Sequence, residues 1–159
     1  MNNRNYLGFL KEKQQLFNRI GIKCKSLDEQ VYKLEQNEKD LSILVEDLSE
    51  RVPFMPLVKC GVVDHPFILV GIEVTHEIVI VQLIYTFNGI KTETTIDRVK
   101  PYLRSLENMT EEEKLEEERL HDPRICISEL ITFYKKNNLD YRGLIPRGLA
   151  IEQIPENHE

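Results

Sequence analysis

A heptad repeat of apolar residues fills the first third of this chain and narrows the folds open to it. With Leu10, Phe17, Cys24, Val31, Glu38, Val45 and Val52 at position a, position d falls on Lys13, Ile20, Leu27, Leu34, Leu41 and Leu48. Only Lys13 and Glu38 interrupt the ridge. A ridge of this period belongs on a helix that hides it against another helix, so residues 1–52 read as a coiled coil or helical hairpin serving oligomerisation. The predicted interface is Leu10, Phe17, Ile20, Cys24, Leu27, Val31, Leu34, Leu41, Val45 and Leu48. A single amphipathic helix packed on its own domain would carry the same stripe.

Charge bears on the pairing. Residues 1–25 hold six basic groups and one acid, and residues 26–52 hold three basic groups and eight acids. Antiparallel contact sets these opposite charges together, either within one chain folded at Gly21 to Lys25 or between two chains. Gly21 weakens a continuous helix, and Ser26-Leu27-Asp28-Glu29 reads as a capping box that starts a new one. Against this, the heptad phase runs unbroken through Gly21, and Val at a with Leu at d is a preference of parallel dimers.

Residues 56–104 have the grammar of strands. Leu57 to Val63, Phe67 to Val74, Ile78 to Phe87 and Ile90 to Ile96 are separated by Asp64-His65-Pro66, Thr75-His76 and Asn88-Gly89. Asn88-Gly89 predicts a type I′ hairpin turn, which needs two positive-φ residues. The run from Ile78 to Tyr85 is apolar on both faces and predicts a central, doubly covered strand, whereas Lys91-Thr92-Glu93-Thr94-Thr95 predicts an edge. Four antiparallel strands suit a small curved sheet or SH3-like barrel. Pro101 predicts that residues 97–104 leave the sheet.

The remainder reads as a helical cap, giving an α+β chain with a domain over 56–152 and a polar, frayed tail over 153–159. Thr110-Glu111-Glu112-Glu113 is a capping box before a very acidic helix in which only Leu115 and Leu120 can be buried. Ile125 to Asn137 follows as an amphipathic helix with Ile127, Leu130, Ile131 and Tyr134 on one face. In the last ordered stretch, Asp140 is expected to cap a turn, Tyr141 to lie on the sheet and Arg142 to meet a carboxylate, with Gly143 and Gly148 at positive-φ or close-approach positions.

Three strings, Lys100-Pro101-Tyr102-Leu103-Arg104-Ser105-Leu106, Met109-Thr110-Glu111-Glu112-Glu113, and Asp140 to Ile145 with Gly148-Leu149-Ala150, carry a resemblance over residues 56–152. They are similar to strings, KPYLRP-S-MTEEE and DYRGLI-KGLA-E, in small uncharacterised proteins of gut anaerobes and their phages or prophages. Ser105 stands where that group usually has Pro, and Pro146 falls inside the last motif. The resemblance implies a mobile-element setting and carries no activity, cofactor or catalytic residue.

No arrangement of residues points to catalysis. Asp64-His65, His76-Glu77 and His121-Asp122 are sequence neighbours in turns, which does not bring an acid and a base to one reacting atom. Three cysteines and four histidines without tight spacing predict no metal, and no nucleotide-binding or nucleophile motif calls for a cofactor. An odd, scattered cysteine set predicts reduced thiols in the cytoplasm, and no apolar run is long enough to span a membrane. The expectation is a non-enzymatic accessory protein whose partner is itself, as a homo-oligomer, or another protein. The alternative is a nucleic-acid-binding module that gathers Lys59, Lys91, Arg98, Lys100, Tyr102 and Arg104 on the small β segment. With a net charge of -6, phosphate would have to be met locally.

Overall fold

The computed structural model describes residues 3–154 except Ile20, Ile22, Val62, Asp64, His76 and Glu77, with side chains from Tyr6 onward. The described residues form an α+β fold, with four helices and a six-stranded open mixed sheet. It divides into two compact units, Met1–Ile43 and Leu44–Glu159.

In the first unit, helix α1 (Asn3–Arg19) stops before Gly21, and α2 (Lys25–Arg51) starts a new direction. Gly21 takes φ 75°, a conformation that is strained for residues with a Cβ, and this is where the unbroken heptad phase fails to make a continuous rod. The Cys24 carbonyl accepts from Leu27 and Asp28, both at 3.1 Å, so α2 begins ahead of the expected Ser26 box. The helices run antiparallel. Lys11 pairs with Glu35 at 2.8 Å, and Gln14 donates to Asp28. Leu7, Leu10, Leu27 and Val31 form the buried seam between them, with Phe17, Cys24 and Leu34 partly buried against it. Four buried aliphatic side chains contribute about 1.5–3 kcal/mol each before ordering costs.

The second unit begins with the last turns of α2. Strands β1 (Leu57–Cys60), β2 (Phe67–Val74), β3 (Val79–Tyr85) and β4 (Lys91–Thr95) are the four that alternation predicts, and β5 (Val99–Leu103) and β6 (Ile151–Glu152) extend the sheet. The order is β4-β3-β2-β1-β5-β6, antiparallel except for β5 with β6. Residues 99–103 therefore do not leave the sheet. Gly61 donates to the Arg98 carbonyl at 2.9 Å, and counting along the ladder from that pair makes Val58 and Pro101 a non-hydrogen-bonded pair. The Pro101 nitrogen then points away from β1, and β6 begins opposite Tyr102, so no ladder bond is lost.

One face of the sheet, carrying Val58, Phe67, Leu69, Val81, Leu83, Val99 and Leu103, is buried. On the other face of β3, Ile80 and Ile84 are half-exposed and Gln82 is exposed, which corrects the expectation of a strand covered on both sides. β4 is the edge. The turn before it differs from a two-residue type I′ hairpin: Tyr85 donates to the Ile90 carbonyl at 2.9 Å across a four-residue loop in which Gly89, and not Asn88, has positive φ. The Asn88 side chain instead accepts from Ile90 N–H at 3.1 Å.

The sheet rolls. β4 and β5 lie four strand spacings apart in the order, roughly 19 Å if flat. Only four residue steps, reaching at most about 14 Å, join Thr95 to Val99 through a 3₁₀ turn. Helix α3 (Glu111–Leu120) opens with the predicted Thr110–Glu113 capping box, and α4 (Ile127–Lys136) packs Leu130 and Tyr134 with Leu120 and Leu139. Leu115, one of the two α3 residues able to be buried, and Ile127, placed on the apolar face of α4, are 67% and 65% exposed.

Candidate functional site

Two surfaces and one buried cluster collect the residues that sequence reasoning singled out. On the helical hairpin, the predicted interface residues Leu10, Leu27 and Val31 are consumed by the chain's own seam, as in part are Phe17, Cys24 and Leu34. Leu41 and Val45 are half-buried, Leu48 is fully buried in the second unit, and Ile20 lies outside the described residues. The face left open on α1 is a different one. Tyr6, Phe9 and Leu16 are 39%, 50% and 55% exposed, and with Lys13 they follow a 3-4-3 spacing down one side of the helix. The Lys13 ammonium sits 5.8 Å from the Phe9 ring centroid. The heptad assignment passed over this stripe because it placed Lys13 as a defect in the main seam; shifting the frame to Tyr6, Phe9, Lys13 and Leu16 reveals it.

The six residues proposed for nucleic acid do not form one group. Lys59 and Lys100 stand directly opposite each other on β1 and β5, and Tyr102 lies two residues along β5 on the same face. Lys91 belongs to β4, and Arg98 to the 3₁₀ turn beside Ile78 and Ile80. Arg104 is committed elsewhere: it pairs with Glu113 and donates to the Asn137 carbonyl at 3.3 Å. Burial opposes ionisation of Glu113, but Arg104 and the Thr110 N–H outweigh it and hold its carboxyl below the ordinary value.

The Asp140-Tyr141-Arg142 motif folds onto the end of α2. Asp140 accepts from Leu144 and Ile145 N–H at 2.7 and 2.8 Å, capping the turn as expected. Arg142 meets Glu46 and Glu50 at 3.2 and 3.0 Å. Tyr141 differs from expectation: its ring stacks on Tyr134 rather than on the sheet, and its hydroxyl donates to Glu50 at 3.0 Å. Beneath them Arg51 and Asp47 pair at 2.7 Å with both side chains fully buried, and Arg51 also donates to the Leu139 carbonyl at 2.8 Å. Burial pushes the Asp47 carboxyl above its ordinary value despite Arg51. Gly143 and Gly148 take φ 68° and 72°.

The acid and imidazole neighbours assemble no convergent site among the described residues. His65 lies with the rings of Tyr85 and Phe87, His121 Nδ1 contacts the Glu117 carbonyl, and Asp122, hydrogen-bonded by Arg124, is lowered to about 2. Asp64, His76 and Glu77 lie outside the described residues. Among the described residues no His, Cys, Asp and Glu group is arranged to hold a metal ion, and no helix is long and apolar enough to cross a membrane. Two depressions, of about 400 and 650 Å³, lie along β3 and β4 and are open grooves. Comparison with protein-family models, with curated proteins and with solved structures finds no match.

Proposed function

We propose that this chain is a non-enzymatic association protein that pairs with a second copy of itself through α1. The observation that carries this reading is the stripe of Tyr6, Phe9 and Leu16, three large apolar side chains left in solvent on a helix whose other face is already buried. The stripe is self-complementary in one direction. Antiparallel pairing of two α1 helices about a two-fold axis sets Tyr6 opposite Leu16 of the second copy and Lys13 opposite its Phe9, repeating between chains the cation–ring contact made within each helix. Parallel pairing would oppose Lys13 to Lys13. Two hairpins joined this way make a four-helix coiled-coil-like bundle.

The rolled sheet supports a finer reading as an SH3-like half-open barrel, because a short 3₁₀ turn links β4 to β5 although four strand spacings separate them in the sheet order. The string resemblance supports a phage or prophage setting, and the free Cys24, Cys60 and Cys126 fit a cytoplasmic one. Sedimentation of the full chain at tens of micromolar tests the association. A dimer that becomes a monomer in the Phe9→Glu, Leu16→Glu double variant is the expected result. A wild-type monomer sinks self-association, and a monomer that binds a different protein through the same stripe would make that protein the partner.

A further inference from the structure

We infer a second, separate site: the paired Lys59 and Lys100 with Tyr102, on the open face of β1 and β5, bind single-stranded nucleic acid. The register gives the reason. Lys59 and Lys100 form a hydrogen-bonded pair of the antiparallel ladder, which puts their Cα atoms about 5.5 Å apart with both side chains on one face. Like charges directly opposite each other weaken a sheet. No carboxylate among the described residues lies within ion-pair distance of either ammonium. An anion seated between them removes the repulsion and gains two charge-assisted contacts.

The surroundings favour a phosphodiester over an acidic peptide. Tyr102 is half-exposed beside Lys100, and one step along the ladder Leu57, 37% exposed, stands opposite it, with Ile68 next on β2. Cations flanked by an aromatic and apolar floor match a strand whose phosphates take the lysines while a base lies on the ring. A carboxylate peptide has no use for that floor. The ring needs an unstacked base, so the fitting ligand is single-stranded.

The test is fluorescence anisotropy of a labelled oligothymidine with the full chain, over about 20–200 mM salt. Two neutralised phosphates predict a slope of log affinity against log salt near −1.4, at about 0.7 per phosphate. Tyr102→Ala should weaken binding about fivefold or more. Lys100→Glu should abolish binding while raising the melting temperature, because Glu opposite Lys59 replaces repulsion with attraction. That opposite movement separates loss of the site from loss of the fold. Lys91→Glu, on the edge strand β4 rather than on β1 or β5, should bind nearly as the native chain does. No binding at the lowest salt, or binding indifferent to Lys100→Glu, overturns the inference. Equal binding of polyglutamate with no effect of Tyr102→Ala overturns it in favour of an acidic peptide. None of these outcomes depends on whether the chain dimerises.

Discussion

Asp47 and Arg51, one helical turn apart on α2, form an ion pair from which solvent is fully excluded, with Arg51 Nε donating to Asp47 Oδ2 at 2.7 Å. The second carboxylate oxygen of Asp47 has no hydrogen-bond partner, and Arg142 Nε stands 3.7 Å from it. Arg51→Met strands the carboxylate in the interior and is expected to cost about 3–5 kcal/mol in urea unfolding. Asp47→Leu combined with Arg51→Met should recover part of that loss, the remainder reflecting the Leu139 and Lys135 carbonyls that Arg51 also serves.

The same pair shapes the pH dependence. Burial raises the Asp47 carboxyl above its ordinary value of 3.8, so between that value and its folded one the native state holds more protons than the unfolded chain. Stability contributed through Asp47 therefore falls as pH rises across that interval. The urea midpoint of the native chain minus that of Asp47→Asn should decline with rising pH, the subtraction removing carboxyls such as Glu113 that are held low and act in the opposite sense. An unchanged slope in the variant would place the effect elsewhere.

The clasp of Tyr141 and Arg142 on Glu50 and Glu46 should be measurable piece by piece. Tyr141→Phe deletes two hydrogen bonds, the one its hydroxyl donates to Glu50 and the one it accepts from Arg142 Nε, and is expected to cost about 1–2 kcal/mol. Arg142→Ala removes contacts to two carboxylates and the cation beside Asp47, and should cost more, about 1.5–3 kcal/mol. Equilibrium denaturation of the two single variants and the double variant gives the coupling between them.

On α1, neighbouring positions should separate folding from association. Leu10 is 4% exposed in the seam, so Leu10→Ala is expected to cost about 2–5 kcal/mol of hairpin stability. Phe9 is half in solvent, so Phe9→Ala should leave the melting curve of the dilute monomer nearly unchanged and weaken dimerisation. Circular dichroism read beside sedimentation distinguishes the two.

Two glycines should respond oppositely to a methyl group. At Gly143 an added Cβ would make only an ordinary contact with Pro146 Cγ at 3.9 Å, but the residue sits at φ 68°, so Gly143→Ala is expected to cost about 1–2 kcal/mol through backbone strain. At Gly71 an added Cβ would meet the Gln82 amide oxygen at 2.6 Å, the far end of a flexible side chain. Gly71→Ala should therefore cost under about 1 kcal/mol as Gln82 swings aside. Thermal melts of both variants decide it.

The sequence made some of this legible because single residues carried local rules. Alternation exposed β1 to β4, Thr110 and Glu113 announced α3, and the acid and base of Asp140 and Arg142 signalled a turn cap and an ion pair. What escaped depended on register or on distance along the chain. Pro101 looked like an exit from the sheet, since only the ladder phase reveals which way its nitrogen faces. Lys59 and Lys100 are 41 positions apart, and nothing short of the β1–β5 register puts them side by side. Nothing in the i,i+4 spacing of Asp47 and Arg51 announces a buried pair, because burial is a property of what later folds over them.

That lateness has a consequence for how the molecule is made. The α1–α2 seam closes among residues synthesised close together, whereas the guanidinium of Arg51 waits for carbonyls at Lys135 and Leu139. A polypeptide cut short ahead of Leu139 would thus possess a finished hairpin whose foot still bathes Arg51 and Asp47 in water. Only the closing residues expel that water and turn an ordinary hydrated helix pair into an interior one.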